Sequence, residues 1–254
     1  MNTSKKLAIV TGASAGIGAA TAIALAKAGY DLAICARRLE KLEETAKLCE
    51  AAGATVLARA VDICEADQRA DFVAATLEQF GKIDLLVNNA GGAKGFANYA
   101  DYPEADLRWM LEVNVIATHE LTKIVLPGML ERDSGDLVFI GSIADNQPYE
   151  NGSAYCASKH AQRAMIEVLR QEIAASNIRV STIKPGMVET EFSEVRFAGD
   201  KSKAAKVYEG LQPLAATDIA DLITFAVTRP AHVNISELHV FPVHQADARK
   251  VVRK

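Results

Sequence analysis

The sequence predicts an α/β fold, with a doubly wound sheet of seven parallel strands and helices on both faces. Three observations carry that prediction. From Leu7 onward, short β-prone runs alternate with longer amphipathic stretches, the sequence form of repeated βα units. Gly29 and Gly53 stop two of the amphipathic stretches where a helix C-terminus favours a left-handed residue. The 254 residues, half of them apolar, suffice for one large core. No repeat, low-complexity tract or Pro/Gly/Ser linker marks a second unit, so residues 1–254 are expected to form a single domain.

The first strand is expected over 7–10, an apolar run that ends on Thr11 and a glycine turn, and the first helix over 16–28 up to Gly29. A strand over 32–36 leads to a helix over 39–52, closed by Gly53. A strand over 55–61 precedes a helical pattern over 66–80, and a fourth strand over 85–88 precedes a long helix over 104–132. The strand over 137–140 leads to a helix over 154–175, and that over 180–184 to a segment that breaks the rhythm. This segment, 188–210, is charged and irregular and reads as a substrate lid. A helix over 217–228 and a strand over 238–241 complete the sheet, and a basic tail follows over 245–254.

Composition excludes several classes. A net charge of −4 offers no field that would draw nucleic acid. Cys35, Cys49, Cys64 and Cys156 have neither zinc-site spacing nor the density of a disulfide scaffold, and read as buried thiols. His119, His160, His232, His239 and His244 form no spaced ligand set, so no metal is expected. Lys5 and Lys6 precede an apolar stretch as in a leader peptide, but Thr11, Gly12, Ser14, Gly16 and Gly18 interrupt it. No run reaches the roughly 18 apolar residues of a membrane span. A cytoplasmic protein without membrane partners is the expectation.

The segment Thr11-Gly-Ala-Ser-Ala-Gly-Ile-Gly18 lies between a predicted strand and a predicted helix, which makes it a candidate dinucleotide turn of the Rossmann kind. Gly12 permits the tight turn, Gly16 admits the pyrophosphate to the backbone, and Gly18 allows close helix packing, while the helix N-terminus offers free N–H groups to the anion. A site for NAD usually carries an acid about 20 residues further on, to bind the ribose 2′-hydroxyl. Arg37 and Arg38 stand there instead, and two guanidiniums suit a 2′-phosphate, so NADP(H) is the expected cofactor. The bland alternative is a pair of solvated charges at a helix entry.

Tyr155 and Lys159, four apart in a helical pattern, share one helix face. A nearby ammonium would lower the phenol's pKa from its usual value near 10 and make it a usable acid or base. Ser142, just past the fifth strand, lies at the carboxyl edge where such sheets bind ligands, and its hydroxyl can polarise a substrate oxygen.

With Thr-Gly-x-x-x-Gly-x-Gly at 11–18, Asn88-Asn-Ala-Gly91, Asn114, Ser142, Tyr155-x-x-x-Lys159 and Pro185-Gly186, the chain resembles the short-chain dehydrogenase/reductase family from about Leu7 to Pro242. The resemblance implies that hydride passes between a nicotinamide and a carbonyl carbon while Tyr155 carries the proton. Asn114 would bend its helix and hold a relay water, Ser142 would orient the carbonyl, and Lys159 would also grip the nicotinamide ribose. Asp62 would meet the adenine and Asn88 the adjoining ribose region. Gly12, Ser14, Gly16, Ile17, Gly18, Arg37, Arg38, Ala90, Gly91, Tyr155, Pro185, Gly186, Val188 and Thr190 would complete the cofactor contacts, the last two positioning the carboxamide. Ala117 departs from the glycine usual after the relay asparagine.

The stretches Ala36-Arg-Arg, Leu126-Pro-Gly-Met, 192–200 and 230–235 resemble the 3-hydroxy acid (serine) dehydrogenase branch, which includes sulfoacetaldehyde reductases. Its substrates are short anionic carbonyl compounds and alcohols, so a cation near the reacting carbon is expected, with Arg196 in the lid as candidate. Reduction of sulfoacetaldehyde to isethionate is placed slightly ahead of a malonic semialdehyde/3-hydroxy acid activity. The rival class is an idle NADP-binding redox sensor or scaffold, and a third reading is a reductase of extended apolar ligands. The tail reads either as a disordered solubilising end or as an arm from which Arg249 or Arg253 reaches a neighbouring subunit's site. The resemblance also implies a homotetramer built through the helices over 104–132 and 154–175.

Overall fold

In the computed structural model, which describes residues 5–254, seven strands form one parallel sheet in the order β3-β2-β1-β4-β5-β6-β7. Met1–Ser4, part of the expected domain, lie outside the described residues. The strands are β1 Leu7–Thr11, β2 Asp31–Ala36, β3 Val56–Ala60, β4 Leu85–Asn88, β5 Gly135–Ile140, β6 Ile178–Pro185 and β7 Glu237–Val240. The order reverses between β1 and β4, so the carboxyl ends of these neighbours open a crevice, the usual ligand position in such sheets.

Side chains alternate across each strand, and both faces are covered. Ala8, Val10, Leu32, Ile34, Leu85 and Val87 enter one core with α1 (Gly16–Lys27), α2 (Leu39–Ala51) and α9 (Ala216–Val227). Leu7, Ile9, Ala33, Cys35, Leu86, Leu137 and Phe139 enter the other, against α3 (Ala66–Phe80), α5 (Ala117–Glu131) and α6 (Ser153–Glu172). Each fully buried Leu, Ile or Phe contributes about 1.5–3 kcal/mol of transfer free energy.

Gly29 and Gly53 follow α1 and α2 with φ +91° and +94°, in the left-handed region the sequence asks of them. The expected long helix over 104–132 is instead interrupted. α4 spans Glu104–Leu111, one π-helical turn spans Glu112–Ile116, and α5 follows. Asn114 sits in that wide turn and bonds outside its own helix, to Gly92 and Ser158, a tertiary demand that favours the extra residue per turn. The expected irregular lid contains α7 (Phe192–Arg196) and α8 (Lys201–Lys206), separated by Ala198 and Gly199 at φ +52° and +89°. Cys35, Cys49 and Cys156 are buried as expected, whereas Cys64 is only partly so.

Candidate active site

The glycine turn joins β1 to α1 over the crevice. Gly12 and Gly16 adopt φ +66° and +55°, which L side chains rarely take. A Cβ on Gly12 would lie 3.0 Å from Cα of Ala90, and one on Gly18 would collide with the Gly12 carbonyl and Asn89. Asn89, which sequence reasoning passed over for Asn88, locks this corner. Its Nδ2 donates to the Thr11 carbonyl at 2.7 Å, while the Thr11 hydroxyl accepts from the Asn89 and Ala90 amides at 3.0 and 2.9 Å. The N-cap of α1 is Ala15, without a side-chain cap, and no acid occupies the first turn, so its amides stay open to an anion.

Arg37 and Arg38 follow β2 and line the same cleft, as do Ser14, Ile17 and Asp62. Arg38 Nη2 donates to Ser14 Oγ at 3.3 Å and to Glu191 Oε2 at 2.6 Å, and Lys41 Nζ donates to Glu191 Oε1 at 2.6 Å. These cations hold the Glu191 carboxyl far below the usual carboxylate range, at about 2. The Asp62 carboxylate accepts from the Cys64 amide at 3.0 Å, which fixes the turn after β3.

Ser142 leaves the carboxyl end of β5 in extended conformation, its Oγ accepting from the Ala144 amide at 3.1 Å. Tyr155, in the first turn of α6, is buried and meets Phe192 of α7 edge-on at 5.6 Å. Burial raises its pKa above the ordinary phenol value and Tyr149 adds to this, against the Ser142 hydroxyl and the Arg196 charge. Lys159 donates to the Ile140 carbonyl at 2.8 Å and to Gln162 Oε1 at 3.0 Å. Burial pulls its pKa down to about 8, opposed by the charge of Asp145. The expectation that Lys159 lowers the tyrosine's pKa therefore needs correction: in this state desolvation outweighs any charge, and the stabilising groups are Ser142 and Arg196.

Beside Tyr155, Arg196 stacks over Phe96, Tyr149 and Tyr155 at 4.8, 5.4 and 5.9 Å. It donates to the Tyr149 hydroxyl at 3.0 Å and to the Gly95 carbonyl at 3.3 Å. Its Nη2 is buried and finds no hydrogen-bond partner among the described residues. A guanidinium held by aromatic faces, with one donor group unspent, is suited to receive an oxyanion.

The family model for the short chain dehydrogenase matches residues 6–201. The chain belongs to the short-chain dehydrogenase family. It is 40% identical over 251 residues to an NADP-dependent 3-hydroxy acid dehydrogenase of Schizosaccharomyces pombe, covering 98% of this chain and 97% of that one. It is 35% identical over 240 residues to a serine 3-dehydrogenase of Rhizobium radiobacter, covering 94% and 95% of the two chains. A solved structure of serine dehydrogenase in closed form, complexed with NADP+, superposes with a TM-score of 0.91 at 34% identity, covering 98% of this chain and 99% of that one.

Within this short-chain dehydrogenase, Gly12, Ser14, Gly16, Ile17, Ala90, Gly91, Ser142, Tyr155, Lys159, Pro185, Gly186, Val188, Thr190 and Arg196 line one cleft of about 930 Å³. Three expected site residues do not line it. Asn88 is buried and donates to Thr122 Oγ1 at 3.0 Å, bracing β4 on α5. Gly18 serves packing behind the turn. The amide of Asn114 exchanges 2.9 Å bonds with Gly92 in both directions and donates to Ser158 at 3.0 Å. Its side chain thus ties the loop at Gly92 to α6.

The tail is folded, which departs from the expected disordered end. Val251 pairs with Gln245 in an antiparallel bridge, Lys254 N donates to the Gly210 carbonyl at 2.9 Å, and Arg253 donates to the Val207 carbonyl at 3.1 Å and to that of Glu209. It is folded back on its own lid. Arg253 lines its own chain's cleft, and the exposed Arg249 lies 3.8 Å from Asp247.

Proposed function

We propose that the chain is an NADP-dependent dehydrogenase of short 3-hydroxy acids, interconverting the hydroxyl and the corresponding semialdehyde. The carrying observation is Arg196, whose unpartnered Nη2 is buried beside Tyr155. A carboxylate held there would lie beside the Tyr155 ring, and the names of the relatives carry the same substrate class. The sequence reading placed the sulfonate aldehyde first; the names of these relatives support the 3-hydroxy acid alternative.

The residues present fit the cofactor. Left-handed Gly12 and Gly16 with the uncapped start of α1 suit its pyrophosphate, and Arg37 and Arg38 its 2′-phosphate. Bound NADP(H) supplies the hydride exchange at the nicotinamide. The chain's own groups handle the proton and the orientation. Ser142 Oγ donates to the substrate oxygen, and the Tyr155 hydroxyl gives a proton to that oxygen in reduction and takes it back in oxidation. Lys159, anchored on the Ile140 carbonyl and Gln162, would hold the nicotinamide ribose, and the aromatic wall of Tyr149, Phe96 and Phe192 shields the site from water.

The second reading is sulfoacetaldehyde reduction. Lys203, Lys206 and Arg253 line the same cleft as Arg196, and a sulfonate offers three acceptor oxygens to them. A cytoplasmic homotetramer belongs to the proposal as well. Ile116 and Ile124 along the interrupted helix, with Met165 and Val168 on α6, are exposed apolar side chains that an intersubunit contact would cover.

The test is NADPH oxidation across malonic semialdehyde, succinic semialdehyde, sulfoacetaldehyde, a neutral short aldehyde and a steroid ketone, with NADP reduction by 3-hydroxypropionate and serine. The three-carbon acids should give the highest kcat/KM, and Tyr155→Phe should abolish turnover while NADPH still binds. A preference for the steroid ketone, or a Tyr155→Phe variant with normal turnover, would overturn the reading.

A further inference from the structure

Glu191 joins three parts of the molecule that are distant in sequence. It immediately precedes α7, which ends on Arg196. Its two carboxylate oxygens each accept a 2.6 Å hydrogen bond, one from Arg38 and one from Lys41 at the start of α2. The same Nη2 of Arg38 also reaches Ser14 in the phosphate turn. The preceding residue, Thr190, lies over that turn, where a Cβ on Gly16 would meet its side chain at 3.3 Å. The base of the lid is thereby strapped across the mouth of the cofactor groove.

Arg38 and Lys41 are surface cations with a long-range anionic partner, and the partner comes from the lid rather than from their own helix. We propose that Glu191 is an internal stand-in for the cofactor's 2′-phosphate, holding Arg38 and Lys41 while the phosphate is absent and displaced by it on binding. The inference rests on the reading that Arg38 meets that phosphate.

Competition follows from the chemistry of the two anions. A phosphate monoester carries close to two negative charges and three strong acceptor oxygens, so it can engage Arg38, Lys41 and Ser14 together. A second anion on the same cations would be repelled, so Glu191 leaves as the phosphate arrives. A ribose 2′-hydroxyl has no charge with which to displace a carboxylate from two cations. The strap therefore responds to the phosphate alone, and its release frees the base of α7, the element that carries the substrate-facing Arg196. Glu191 stays ionised throughout the neutral range because its cations hold its pKa down.

The experiment is calorimetric titration of the full chain with adenosine 2′,5′-bisphosphate and with 5′-AMP, for the wild type, Glu191→Gln and Arg38→Gln. Two half-exposed ion pairs hold the strap, so Glu191→Gln should bind the bisphosphate about two- to tenfold more tightly, with 5′-AMP binding unchanged. Glu191→Asp, which keeps the charge, should fall between the two. Bisphosphate affinity that is unchanged or weaker in Glu191→Gln overturns the stand-in, while Arg38→Gln still loses its preference for the bisphosphate. An Arg38→Gln variant that keeps the wild-type preference for the bisphosphate overturns the phosphate assignment itself, and the strap with it.

Discussion

Lys159 donates its ammonium to the carbonyl of Ile140 at 2.8 Å, at the strand end that leads directly to Ser142. The lysine is thereby committed to the sheet edge, and its neighbour Tyr155 keeps its proton, since burial raises the phenol's pKa. At neutral pH the populated phenol can donate in reduction, whereas oxidation draws on the scarce phenolate. The kcat/KM for alcohol oxidation should therefore rise with pH from about 6 to 9, approaching tenfold per unit, while reduction stays level or falls. Paired pH–rate profiles check this, and an oxidation profile that is flat over that range would exclude Tyr155 as the base.

Replacing Arg196 by Met keeps much of the contact with Phe96 and Tyr149 and removes the charge. Loss of a charge-assisted hydrogen bond of about 1.5–3 kcal/mol should weaken kcat/KM for anionic substrates by about 10- to 100-fold, with little change for a neutral aldehyde. Steady-state kinetics on matched substrate pairs decide it. Equal losses on both would place Arg196 in lid packing instead.

Arg37 and Arg38 replaced together by Ala should raise the Michaelis constant for NADPH by about tenfold or more and leave that for NADH nearly unchanged. Equal effects on the two cofactors would remove the phosphate assignment.

Far from the cleft, Arg179 on β6 grips Asp136 on β5 through Nε at 2.6 Å and Nη2 at 2.9 Å, both side chains being about 10% exposed. It also donates to the Val227 and Arg229 carbonyls at 2.8 and 3.0 Å, which ties the end of α9 to the sheet. Arg179→Met should cost about 3–5 kcal/mol, because it leaves a buried carboxylate without its cation. Denaturant unfolding measures this, and a loss below about 1 kcal/mol would show that the pair does not carry that weight.

The strands and the glycine turn were legible because they rest on local chemistry. Runs such as Leu7–Thr11 and Asp31–Ala36 are apolar without a polar face, the mark of strands covered on both sides. Gly12, Gly16, Gly29 and Gly53 stand where the backbone takes positive φ. The break at Glu112–Ile116 was legible only through the family resemblance, which implied a bend at Asn114. Apolar periodicity runs on through it, and the cause is a set of bonds from Asn114 to residues 22 and 44 positions away. Asn88 and Asn89 show the same limit. A strand points adjacent side chains to opposite sides, so which of two asparagines meets the cleft depends on where the last strand residue falls.

The sequence by itself determined the parallel α/β sheet, the dinucleotide turn and the presence of Ser142, Tyr155 and Lys159 at one edge, because periodicity, glycine placement and helical spacing are properties of short windows. Tertiary structure alone decided which charges meet. Glu191 closes on Arg38 from 153 residues away, Arg196 settles among aromatic rings from three segments, and Arg253 folds back on the lid of its own chain. These pairings depend on distance and desolvation between chain segments, which residue order does not record.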